Sequence, residues 1–218
     1  MNKKLIDYVE THVFPLYDKN DKSHQMWHIN GVIERSLRIA RDYDVDMDMV
    51  YTIAAFHDIG VHIDRENHEK ESALIFVNDP MMPKFFNEAQ IKIIKEAIED
   101  HRASATNTPR SIYGKIVATA DKLIIIPDIL KSIHLYTLEN YPDLDWNRAI
   151  DTCYKYLYNK YGPNGYAKVP LVSKDYEIFL ENVSKLLLDR SLLASELKKV
   201  DIEAKNTYED LRYIKYSY

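Results

Sequence analysis

The sequence holds a single cysteine, Cys153, in 218 residues. One thiol can neither staple a small fold internally nor build a thiolate zinc site, so both frameworks are excluded. Glycine is scarce as well, at five residues, and no GxGxxG or GxxxxGK[ST] stretch occurs. The two commonest phosphate-cradling loops are therefore absent. Basic charge is not in excess: 29 Lys and Arg stand against 34 Asp and Glu, a net charge of −5. Nucleic-acid polymers and membrane surfaces both select a basic face, so neither is an expected partner. No apolar run approaches the ~20 residues of a membrane span. Near the start, Asp7 and Glu10 interrupt any signal-like apolar stretch. With the lone cysteine, these features predict a cytoplasmic location.

What is present is ordinary for a globular chain: 46% apolar and 29% charged residues. A chain of this length can bury about 70% of its unfolded surface without covalent staples. Its apolar residues recur at helical spacing. Leu5, Ile6, Val9 and Val13 mark a first helix ending before Pro15, and Ile29, Val32, Ile33, Leu37 and Ala40 a second over about 23–43. A third helix is expected at 46–58, closed by Gly60, and a fourth at 68–78, before Pro80 and Pro83. The fifth starts near Asn87, with Gln90 as its capping-box partner, and reaches His101. Thr108-Pro109 reads as the N-cap and first position of a sixth helix running to about Ile126, where Pro127 breaks or kinks the chain. Further helices are expected at 128–138, at 145–161 and over 173–200, the last as one helix or two joined near Asp189. The predicted fold is all-α. It forms one domain over 1–218, with a motif-bearing core at about 24–126 and a helical extension at about 128–218.

Several histidines and carboxylates fall on the inner faces of these helices. His57 continues the stripe Val50, Ile53, Ala54, and His101 continues Ile94, Ala97, Ile98, both at i, i+3, i+4, i+7 spacing. His28 precedes Ile29, Val32 and Ile33, and His68 opens the fourth helix. Asp121 lies inside the apolar stretch Ile116–Ile126, where burying a carboxylate is costly unless it is paired or bound to metal. Each of these taken alone suits a satisfied core or capping residue. Together they suit a metal site built between facing helices. His57 and Asp58 diverge by about 100° around a helix axis, yet at a helix end both can reach one ion. The second oxygen of a carboxylate can reach another ion, as an imidazole cannot. Four imidazoles and two carboxylates without thiolate suit Fe, Mn, Co, Ni or Zn. His24, four residues before His28, and His62, before His68, are rival ligands.

The order His28, His57-Asp58, His68, His101, Asp121 resembles the H…HD…H…H…D signature of the HD-domain superfamily of metal-dependent phosphohydrolases. The surrounding words resemble it too: Trp27-His28-Ile29-Asn30-Gly31-Val32, Ala55-Phe56-His57-Asp58-Ile59-Gly60, His68-Glu69-Lys70-Glu71-Ser72-Ala73, Glu99-Asp100-His101 and Ala118-Thr119-Ala120-Asp121-Lys122-Leu123. The resemblance implies a helical bundle around two divalent transition ions. His28, His57 and Asp121 would hold one, His68 and His101 the second, and Asp58 both, acting as the central catalytic carboxylate. It implies attack of a metal-activated hydroxide on a phosphate ester or anhydride of a small molecule, with a nucleotide as the expected substrate. Arg65, Arg102 and Lys122 are the candidate substrate-binding cations. Symmetrical dinucleoside tetraphosphate hydrolases share the six positions, but the nine residues between Asp58 and His68 are fewer than that subgroup has. Two alternatives remain on the same scaffold: a di-iron oxygenase and a non-catalytic ligand-binding module. No heptad seam marks a self-association surface, and a homodimer stays open.

Overall fold

The computed structural model describes residues 1–102, 108–122, 125–172 and 174–207. Among these residues every regular element is helical and no strand occurs, so the fold class is all-α as the periodicity predicts. None of the described helices is long and apolar enough to cross a membrane. The chain divides into two compact units, Met1–Lys122 with Ala167–Val172, and Leu123–Tyr166 with Ser173–Tyr218.

The first unit opens with α1 (Lys3–Tyr8), followed by a wide helical turn over Val9–Val13 and 3-10 turns at Phe14–Lys19 and Lys22–His24. Pro15 sits inside the first of these 3-10 turns, where its missing N–H costs nothing. Then come α2 (Met26–Ala40), α3 (Met47–Phe56), α4 (His68–Asn78), the short α5 (Met82–Phe85), α6 (Glu88–Glu99) and α7 (Ile112–Asp121). Side chains set several of the starts. Asp46 accepts from Asp48 N and Met49 N at the start of α3, and Asn87 and Gln90 close the expected capping box of α6. Every residue of α3 from Met49 to Phe56 is buried, which makes it the central helix of the unit. It packs against α2, α6 and α7, while α4 lies along α6. Gly60 permits one close approach. A Cβ there would stand 2.6 Å from Glu71 Cβ and Ser72 N, so glycine lets α4 lie directly on the turn after α3.

Two expectations are corrected here. The sixth helix starts at Ile112, with Ser111 as its N-cap, and not at Pro109. The reason is tertiary: the backbone N–H and side chain of Arg110 are both held by Asp100 at the end of α6, which fixes the approach to α7 outside the helix. It also ends at Asp121, because Lys122 leaves helical geometry with ψ at 95°.

The second unit contains α8 (Ile126–Asn140), α9 (Trp146–Tyr161), α10 (Lys174–Leu188) and α11 (Arg190–Thr207). Pro127 does not separate two helices as expected. It occupies the first turn of α8, a position proline favours. Asp145 caps α9, and Asp189 accepts from Ser191 N and Leu192 N to start α11. The expected stretch 173–200 is therefore two helices, the second reaching Thr207. Their apolar faces meet through Ile129, Leu130, Leu157, Phe179, Val183, Leu193 and Leu197, all buried.

Candidate metal centre

Two of the candidate histidines follow helix C-termini, where backbone carbonyls lack partners, and a third opens a helix. His57 follows α3 and its Nδ1–H donates to Ala54 O at 2.8 Å. His101 follows α6 and donates in the same way to Ile98 O at 2.6 Å. His68, opening α4, donates to Arg65 O at 3.0 Å. A carbonyl can only accept, so in each neutral ring the proton sits on Nδ1 and Nε2 presents a lone pair. His28 lies in the first turn of α2, and Asp121 is the last residue of α7.

The structure brings all six candidate ligands together in two groups that share Asp58. In the first, His28 Nε2 lies 3.3 Å from both His57 Nε2 and Asp58 Oδ2, and 3.2 Å from Asp121 Oδ1. His57 Nε2 stands 3.2 Å from Asp58 Oδ2 and 3.6 Å from Asp121 Oδ1. A tetrahedron with edges of this length has its centre about 2.0 Å from each corner, a zinc–nitrogen distance. In the second group, His68 Nε2, His101 Nε2 and Asp58 Oδ1 form a triangle with sides of 3.1, 3.2 and 3.4 Å. An ion just off that plane would reach all three at about 2.0–2.2 Å.

Charge reinforces the fit. Burial by itself would push the Asp58 carboxyl up, but His57 and hydrogen bonds from His101 and His28 hold it well below the usual carboxylate range. Asp121 is likewise held low against its burial by His28 and His57. Burial opposes the charge on His57, yet the neighbouring Asp58 and Asp121 raise it to about 10. His68 goes the other way, lowered chiefly by burial. Two nitrogen lone pairs 3.1–3.3 Å apart cannot hydrogen-bond to each other without a proton between them. A divalent cation in each group would satisfy the Nε2 atoms and both carboxylates, so the donor set fits transition-metal ions.

The rivals and the candidate cations take other partners. His24 bonds through Nδ1 to Asp21 and Ser23, and His62 through Nδ1 to Asn20, so neither joins the cluster. Arg65 pairs with Asp21, and Arg102 bonds Glu66 O and Glu69. Lys122 is buried and donates to Ala118 O at 3.1 Å. The sequence reading missed Glu69, a buried acid whose Oε2 is 3.9 Å from His68 Nδ1. Its place directly after a candidate ligand, in the first turn of α4, was the available signal.

A helical core here delivers four imidazoles and two carboxylates to a cluster able to hold metal ions. Residues 27–125 match the family model of the HD domain. HD domains are generally metal-dependent phosphohydrolases, which agrees with a cluster able to hold metal ions. No curated protein and no solved structure matches the chain.

Proposed function

We propose that this chain is a metal-dependent phosphohydrolase acting on a phosphate ester or anhydride of a small molecule, with a nucleotide as the substrate class. One observation carries the reading: the two oxygens of Asp58 face different histidine pairs, Oδ2 toward His28 and His57, Oδ1 toward His68 and His101. That arrangement suits a carboxylate shared by two divalent transition ions. His28, His57 and Asp121 would hold one ion, His68 and His101 the other, and Asp58 both.

Such a pair of ions, when bound, supplies a water of lowered pKa and neutralises charge on a phosphoryl group. The chain does the rest. His57, His68 and His101 keep their Nε2 atoms aimed inward because carbonyls anchor Nδ1. Arg65 and Arg102 would meet substrate oxygens by exchanging Asp21 and Glu69 for them, and Lys122 would add positive charge beside Asp121.

The test combines elemental analysis of the purified protein with phosphate release from a panel of nucleotides. About two transition ions per chain and a release that chelation abolishes are expected. Oxygen consumption without phosphate release would replace the hydrolase with an oxygenase. Bound ions with neither reaction would leave a ligand-binding module.

A further inference from the structure

The turn that carries His57 and Asp58 is braced by residues outside the matched stretch 27–125. Tyr17 is fully buried and donates its hydroxyl to Ala55 O at 2.9 Å, satisfying a terminal carbonyl of α3. Asn20 is buried as well and makes a more selective set of bonds. Its Nδ2–H donates to Asp58 O at 2.9 Å and to His24 O at 3.3 Å. Its Oδ1 accepts from His62 N at 3.1 Å, on the loop that leads to His68. One side-chain amide thus ties the backbone of the shared carboxylate to the start of the loop joining the two groups of ligands. A buried amide with donor and acceptor both engaged holds one orientation, because flipping it would set oxygen against the Asp58 carbonyl.

We propose that Asn20 is a positioning residue of the metal centre, fixing through the Asp58 carbonyl where that residue's carboxylate stands between the two histidine pairs. The proposal rests on the reading that Asp58 holds metal. Partners that orient metal ligands typically change metal affinity about 10–100-fold when removed. Asn20 acts on the ligand's backbone rather than its side chain, so the lower end of that range applies.

Cobalt titration of the metal-free full-length chain, followed by its visible spectrum, tests this. Three variants stand beside wild type: Asn20→Ala, the near-isosteric Asn20→Asp, and Tyr17→Phe. Tyr17→Phe removes a second buried hydrogen bond to the same turn, donated to Ala55 O, although the Asp58 backbone also reaches the hydroxyl. It leaves the bond to the Asp58 carbonyl intact and so serves as the structural control for loss of a brace. Both Asn20 variants should bind cobalt about tenfold more weakly and shift its absorption bands, while Tyr17→Phe loses stability but keeps the wild-type spectrum. Asn20→Asp keeps the acceptor for His62 and the side-chain volume, so it reports on the lost donor even if the alanine variant folds poorly. Wild-type affinity and spectrum in both Asn20 variants would overturn the positioning role and leave the metal reading intact. Equal spectral changes in Tyr17→Phe would reduce Asn20 to a general brace. Failure of the wild type itself to bind cobalt would overturn both readings.

Discussion

Asp58 and Asp201 are both buried aspartates that face histidine, one in each unit. In the second unit, Asp201 on α11 meets His134 Nε2 of α8 at 3.1 Å through Oδ1, and the Lys198 ammonium at 3.0 Å through Oδ2. The chain provides the counter-charge there. In the first unit, four imidazoles crowd around Asp58 and Asp121, and among the described residues no Lys or Arg pairs with Asp58. The two sites use the same residue types. The difference lies in where a cation can come from: Lys198 supplies one to Asp201, whereas inward-facing lone pairs leave the Asp58 cluster able to hold an ion. Burial of a histidine–aspartate pair is therefore weak evidence for a metal site. The direction of the Nδ1–H bonds is the stronger sign.

The largest effect should come from Asp58→Ala. Losing the shared carboxylate should take metal content from about two ions per chain to near zero and cut turnover on the order of 10⁴-fold. Elemental analysis and a phosphate-release assay check this, and retention of both ions would break the contrast with Asp201. His134→Ala, the matching change in the second unit, should leave metal content untouched. It should cost about 2–3 kcal/mol of stability, read by urea unfolding, through a lost buried hydrogen bond and the space left behind.

pH should separate the units further. In the metal-free protein His57 is raised from its ordinary value, 6.5, to about 10. Its contribution is complete below about 6.5 and disappears as pH rises toward 10. Asp58 and Asp121 are lowered, so their contribution holds above 3.8 and is lost only in stronger acid. The metal-free first unit should thus lose stability across the alkaline range, while cobalt affinity rises there as protons leave the same nitrogens. The chain has two tryptophans, Trp27 in the first unit and Trp146 in the second, so single-tryptophan variants can follow each unit separately. An alkaline loss confined to the Trp146 signal would contradict this assignment of charge.

Much of this was legible in the sequence where the cause is local. The capping box at Asn87 and Gln90, the break at Asp189 and the inward stripes ending in His57 and His101 all depend on neighbours within a few residues. The order of the six histidines and aspartates was readable because helical spacing fixes which face each residue takes. The start of α7 was misread because Asp100, ten residues away, captures Arg110. Asn20 and Tyr17 left no signal, since each bonds a backbone carbonyl 38 residues distant and any sequence supplies a carbonyl. His134 attracted no role for a related reason: its partner lies 67 residues on, in α11.

The smallest predicted effect tests the comparison at its closest point. Lys198 stands where the first unit would take an ion, but its side chain is half exposed, so solvent screens its attraction for Asp201. It also sits 4.9 Å from the centre of the Trp146 ring, a cation–π contact worth about 0.5–1 kcal/mol at such a site. Lys198→Met keeps the hydrocarbon stem and removes the charge. It should cost about 1 kcal/mol in total, less at high salt, with a change in Trp146 fluorescence. His134 remains as a partner for Asp201, so one imidazole and one carboxylate fall short of the three or four ligands an ion needs. Cobalt uptake by the second unit of this variant would show that lysine alone keeps a latent metal site closed. Its absence would show that the converging lone pairs, and not the missing lysine, set the first unit apart.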